Sequence, residues 1–175
     1  MQAEAGNKNI GILDIHGSVE EHANALRKLG TSITFVKLPE DLEDVTGLII
    51  PGGESTTMSK LLKKYNLHEA ITNFSKRGGI IWGSCAGAIL LGRCRDPKVK
   101  PLSLIDLDVE RNAYGRQLDS FESTIIFNDR NIPGVFIRAP KIYNFDKDII
   151  KLAHHQEETV AARKNNIIVS TFHPE

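Results

Sequence analysis

Cys85 sits in Gly83-Ser84-Cys85-Ala86-Gly87, after the apolar run Ile80-Ile81-Trp82 and before Ala88-Ile89-Leu90-Leu91. A nucleophile between two glycines at such a junction matches the strand-to-helix elbow G-x-S-x-G, with Cys in place of Ser. The turn strains the nucleophile's backbone and needs small flanking residues. A helix beginning near Ala86 favours thiolate through its dipole and free N–H groups. The chemistry on offer is attack on an acyl carbon. A buried cysteine at a Gly/Ala-rich strand–helix contact explains the same five residues equally well. Cys94 has no such surroundings and is read as structural.

A thiolate needs a base or ion-pair partner, and His173-Pro174-Glu175 supplies an imidazole and a carboxylate two positions apart. In extended chain both lie on one side with Cα atoms about 6–7 Å apart, so the carboxylate can accept the Nδ1–H bond and fix the tautomer. Taken alone, this tripeptide reads as a frayed tail. Pro51-Gly52-Gly53-Glu54-Ser55 follows another apolar strand, and its amides, with the Ala86 N–H, can face a developing oxyanion. Ser55 or Thr56 is expected to cap the helix that follows. The spacing is not that of a phosphate-binding P-loop.

These residues converge only if the sheet brings them together. Short apolar runs at Asn9–Ile15, Ser32–Lys37, Gly47–Ile50 and Ile80–Trp82 alternate with amphipathic stretches at Val19–Leu29, Thr56–Tyr65 and Leu67–Arg77, the pattern of βαβ units around a parallel sheet. In Val19–Leu29 the core-facing steps are Val19, His22, Ala23, Leu26 and Leu29. The second half predicts strands at Leu102–Val109, Ser120–Phe127, Gly134–Arg138 and Asp148–Ala153, with a hairpin of Thr159–Arg163 and Ile167–Phe172 around Lys164-Asn165-Asn166. A doubly wound sheet gathers the loops at its strands' carboxyl ends in one crevice, so Cys85 and His173 can meet. Asp106, Asp108 and Glu110 alternate along a strand and read as a solvated face. His154 and His155 are adjacent, point to opposite faces and make no metal site.

The composition excludes other classes. With 175 residues, 41% apolar, a single globular domain is expected. Lys+Arg 22 balance Asp+Glu 22, so no charge excess calls for nucleic acid or a membrane surface. No apolar run approaches the ~20 residues of a membrane span. Two cysteines exclude a disulfide scaffold, and the start has no basic-plus-apolar signal segment, which points to the cytoplasm.

Five segments in order, Pro-Gly-Gly-Glu-Ser-Thr-Thr-Met at 51–58, Trp-Gly-Ser-Cys-Ala-Gly at 82–87, Arg-Asn-Ala-Tyr-Gly-Arg-Gln at 111–117, Phe-Ile-Arg-Ala-Pro at 136–140 and Phe-His-Pro-Glu at 172–175, resemble the glutaminase subunits of pyridoxal 5'-phosphate synthase. The elbow and the His-x-Glu pair alone indicate the wider class I glutamine amidotransferases, and the other segments narrow that class to the vitamin B6 branch. The resemblance implies a flavodoxin-like three-layer α/β sandwich, mostly parallel at its centre, with helices on both faces and a mixed β portion in the second half.

It also implies hydrolysis of L-glutamine to glutamate and ammonia, with the ammonia passed to a synthase subunit in a hetero-oligomer. By that likeness Cys85 is the nucleophile, His173 the acid/base and Glu175 its orienter. Gly53, Glu54, Ser55, Arg111, Ile137 and Arg138 surround the glutamine, Gly53 and Ala86 form the oxyanion hole, and no metal or cofactor is needed. Three positions depart from the family pattern: His16 stands before Gly17 where Gln is usual, Ala88 where Met is common, and the single domain 1–175 lacks the usual C-terminal tail. The rival readings are a cysteine hydrolase or peptidase on a similar sheet and a non-catalytic partner-binding module.

Overall fold

The apolar run Gly47–Ile50 is a strand buried at every position, between two parallel neighbours, in a computed structural model that describes residues 8–113 and 120–175. The elements run β1 (Asn9–Leu13), α1 (Val19–Lys28), β2 (Ser32–Val36), a 3-10 turn (Pro39–Leu42), β3 (Gly47–Ile50), α2 (Ser55–Lys64), α3 (Leu67–Lys76), β4 (Ile80–Ser84) and α4 (Ala86–Leu91). There follow β5 (Asp108–Glu110), β6 (Ser120–Phe127), β7 (Arg130–Ile137), β8 (Lys141–Tyr143), β9 (Ile150–His155), β10 (Glu158–Lys164) and β11 (Ile167–Ser170). Among the described residues one sheet has the order β2-β1-β3-β4-β11-β10-β9-β6-β7, and β5 pairs separately with β8.

The pairings from β2 to β11 are parallel, and those from β11 to β7 are antiparallel. Successive side chains of a strand point to opposite faces, and β1 shows the result. Ile12 packs with Val19 and Ala23 of α1, whereas Leu13 joins Met58, Leu62, Ile71 and Leu90 of α2, α3 and α4 on the other side. Each such fully buried side chain is worth about 1.5–3 kcal/mol relative to exposure. This is the three-layer arrangement that the alternating pattern requires.

Four expectations are corrected. Leu29 lies past the end of α1 and is 77% exposed, because the helix stops at Lys28 and turns at Gly30. Leu102–Leu107 is not strand. Its amides cap the carbonyls that the short α4 leaves unpaired at its end: Leu102 N–H donates to Leu90 at 2.7 Å and Leu104 N–H to Leu91 at 2.7 Å. Asp108 is no member of a solvated face: it is 6% exposed and accepts from Arg93 Nε at 2.7 Å and Asn144 Nδ2 at 2.8 Å. Asn144 first, and then Arg93, hold its carboxyl below the ordinary range. The helix after Gly53 is capped by Glu54, not by Ser55 or Thr56, and the Glu54 carboxylate accepts from the Thr56 and Thr57 amides.

The predicted hairpin forms, with Asn165 at φ 52° in its turn. Cys94 packs against the main core, and His155 bonds Ser123 at 2.9 Å beside the Phe136 ring. Among the described residues no helix is long and apolar enough to cross a membrane, and no group of His, Cys, Asp and Glu is arranged to hold a metal ion. The residues Tyr114–Gln117 of the third quoted motif lie outside the described residues.

Candidate active site

Cys85 follows the last residue of β4 and precedes the first of α4, and its backbone is at φ 50°, ψ −105°. A side chain pays strain to sit there, and the neighbours hold it in place. Cys85 N–H donates to Ser170 O at 2.8 Å, and the turn is packed so tightly that a Cβ on Gly87 would lie 2.1 Å from the Ile50 carbonyl oxygen. The elbow is thus built from local sequence and clamped by both strands flanking β4. The Ala86 amide opens the first turn of α4 next to the thiol.

His173 reaches Cys85 because β11 lies parallel to β4 with Ser170 beside Ser84. The chain leaving β11 therefore rises beside the chain leaving β4. The edge strand β7 of the same sheet then secures it: His173 N–H donates to Val135 O of β7 at 2.7 Å, and the Cys85 thiol lies 3.7 Å from Ile137 O on the same strand. His173 Nδ1 is 2.9 Å from Glu175 Oε1, as the two-residue spacing predicts. The Cys85 contact, and after it the Glu175 bond, raise the His173 imidazole to about 10, against the opposing effect of burial. At neutral pH the ring is an imidazolium facing the thiol.

Burial by itself would push the Glu175 carboxyl up, but the His173 hydrogen bond and the neighbouring imidazoles outweigh it and hold the group below its usual range. Ser18 Oγ also donates to Glu175 Oε1, at 3.1 Å. Ser18 occupies the N-cap position of α1 yet makes no side-chain cap bond there, its hydroxyl being turned to the carboxylate. Sequence reasoning missed Ser18 as a site residue. It also placed His22 merely on the buried face of α1, where it stands 2% exposed with Nε2 3.5 Å from Glu175 Oε2.

A cleft of about 500 Å³ opens over Cys85 and His173. Gly53, Glu54, Ser55, Arg111, Ile137 and Arg138 all line it, so the residues expected around a substrate are gathered in one place, and His16 and Asn112 join them. Ala86 lies beneath, almost wholly buried. Gly52 O accepts from Ser18 N–H at 3.0 Å, which fixes the Gly52–Gly53 peptide at the rim. Glu54 and Arg111 are tied to each other at 3.2 Å, and Arg111 Nη1 meets Asp96 Oδ2 at 2.5 Å. The Thr56 and Thr57 bonds overcome desolvation and bring the Glu54 carboxyl down to about 2, so it is anionic throughout the physiological range. The Arg138 guanidinium, in contrast, has no ion-pair partner among the described residues, and its backbone is at φ 44°.

Sheet order, elbow and cleft define a three-layer α/β protein of the class that carries a cysteine at a strand-to-helix turn on the carboxyl edge of its parallel strands. The chain belongs to the SNO glutamine amidotransferase family, whose model matches residues 12–175. It is 43% identical over 168 residues to the pyridoxal 5'-phosphate synthase subunit PdxT of Francisella tularensis subsp. novicida, covering 96% of this chain and 91% of that one. The PdxT of Thermosipho africanus is 44% identical over 170 residues, covering 95% and 90%. A crystal structure of a glutamine amidotransferase superposes with TM-score 0.90 at 36% identity, covering 94% and 89%. A putative GMP synthase subunit from Thermoplasma acidophilum, at 17% identity and TM-score 0.66, shares the fold.

Proposed function

We propose that this chain is a glutaminase: it hydrolyses L-glutamine to L-glutamate and ammonia at Cys85, and the ammonia goes to a synthase subunit that builds pyridoxal 5'-phosphate. Residues 1–175 act as one cytoplasmic glutaminase domain within a hetero-oligomer. The observation that carries the reading is the meeting of Cys85, His173 and Glu175 under a cleft whose size suits an amino acid.

Thiolate Cys85 attacks the side-chain amide carbon, and the oxyanion that develops is met by the Gly53 and Ala86 amides. The His173 imidazolium gives its proton to the amide nitrogen, the C–N bond breaks and ammonia leaves a thioester. Neutral His173 then takes a proton from water as the hydroxide attacks the thioester. Glutamate departs, and the thiolate–imidazolium pair is restored. Glu175 holds Nδ1 throughout and so keeps Nε2 aimed at the sulfur and the leaving group.

The charges at the cleft divide the work of binding. Anionic Glu54 faces the substrate ammonium, and Arg111, already engaged by Glu54 and Asp96, holds that carboxylate in place. Arg138 lines the same cleft, has no ion-pair partner among the described residues, and takes the α-carboxylate. Ser55 and the Ile137 backbone complete the walls.

The test is ammonia release from L-glutamine by wild type and Cys85→Ala, each with and without the synthase subunit. Wild type in the complex is expected to release ammonia, and Cys85→Ala to bind the synthase but release none. Equal release by both proteins would overturn the reading. Glutamine is further expected to shield Cys85 from a diazo-ketone glutamine analogue. Labelling that glutamine leaves unchanged would favour a peptidase or other cysteine hydrolase.

A further inference from the structure

His22 belongs to α1, 2% exposed, and its ring meets Trp82 edge-on at 6.1 Å. A buried imidazole needs partners for its ring nitrogens, and Nε2 has two within reach. Ser84 Oγ lies 3.2 Å away, and Glu175 Oε2 lies 3.5 Å away. Ser84 immediately precedes Cys85, and Glu175 holds His173, so His22 touches both ends of the constellation from behind, away from the cleft. Glu175 Oε1 is well supplied, by His173 and Ser18. Oε2 is the opposite case, a buried carboxylate oxygen with no hydrogen bond.

The tautomer follows from this arrangement. With the proton on Nδ1, the Nε2 lone pair would face a buried anionic oxygen 3.5 Å off, which is repulsive in a low-dielectric interior. With the proton on Nε2, one N–H serves both Ser84 Oγ and Glu175 Oε2. Burial is the largest influence on His22 and pushes its imidazole down, so the ring is a neutral donor.

Resting on the glutaminase reading, we infer that His22 is a positioning residue for catalysis: its Nε2–H engages Glu175 Oε2 and locks the carboxylate plane so that Oε1 stays on His173 Nδ1. It touches no substrate. A carboxylate tethered by one oxygen alone can swing about its last side-chain bond, and the His173 ring would swing with it. Held at both oxygens, it keeps the ring aimed at Cys85 as the imidazolium gains and loses its proton.

The experiment measures glutamine-dependent ammonia release by the complex with the synthase subunit. His22→Leu is expected to lower kcat about tenfold or more at unchanged KM, as for loss of a hydrogen bond to a charged group. His22→Gln, which places an amide N–H near the same point, is expected to recover most of it. In a Glu175→Gln background, His22→Leu is expected to change kcat by less than about twofold, because the residue acts through that carboxylate. An equal loss in both backgrounds would show mere packing and overturn the inference, as would full activity of His22→Leu. Nitrogen-15 NMR of the wild-type histidines gives a readout independent of turnover and of whether the variants fold. A protonated Nε2 on His22 is expected, and a bare Nε2 would overturn the inference. A wild-type complex that released no ammonia would instead overturn the glutaminase reading, leaving the tautomer to decide this one.

Discussion

The His173 imidazole lies where a side chain on Gly52 would be: a Cβ built on Gly52 falls 2.4 Å from His173 Cε1. Gly52→Ala is therefore expected to push the ring off its line to Cys85. A misplacement of about 1 Å costs on the order of a hundredfold in rate. Steady-state ammonia release and a thermal melt check this, and a variant within threefold of wild-type kcat would contradict the packing argument.

Ser18→Ala separates a helix cap from a site contact. The hydroxyl makes no cap bond to α1 and donates to Glu175 at 3.1 Å. Losing a hydrogen bond to a charged group costs about 1.5–3 kcal/mol. The loss is expected in kcat/KM, with far-ultraviolet circular dichroism unchanged, and a drop in helicity with normal turnover would show that the hydroxyl serves the helix after all.

His173 makes stability depend on pH in a definite direction. Its imidazole is raised from 6.5 to about 10 in the folded chain, so the stabilisation is fully present below pH 6.5 and fades as pH rises through about 10. Denaturant titrations of wild type and His173→Asn are expected to differ most at or below pH 6.5 and to converge as pH climbs toward 10. A gap that widened with pH would mean the ring is neutral in the native state.

Asp108→Ala tests stability away from the cleft. It removes a buried carboxylate that accepts from Arg93 and Asn144, and about 2 kcal/mol of stability is expected to go with it. Denaturation midpoints read the loss, while ammonia release per folded molecule should stay at the wild-type value. A parallel fall in specific activity would tie this cluster to the cleft.

What could be read along the chain was what depends on near neighbours. The elbow at Cys85, the Nδ1 bond across Pro174 and the runs forming β1, β3 and β4 each rest on residues a few positions apart, where backbone geometry restricts the choices. Of the strand expected over Leu102–Val109 only the end at Asp108 and Val109 forms, for the complementary reason: the Leu102, Leu104 and Ile105 amides are taken by the end of α4, a partner that periodicity in the segment does not reveal.

From its own order of residues the chain determined a cysteine poised on a strained turn, an imidazole tied to a carboxylate, and the alternation that builds a covered parallel sheet. Tertiary structure alone decided that the two halves of the site meet, because the register of Ser170 beside Ser84 joins segments far apart in the chain. It also decided that Ser18 and His22 face the Glu175 carboxylate and that β7 braces His173. Contacts of that kind depend on which strand lies beside which, and that is set by the packing of the whole sheet against its two layers of helices rather than by any local spacing.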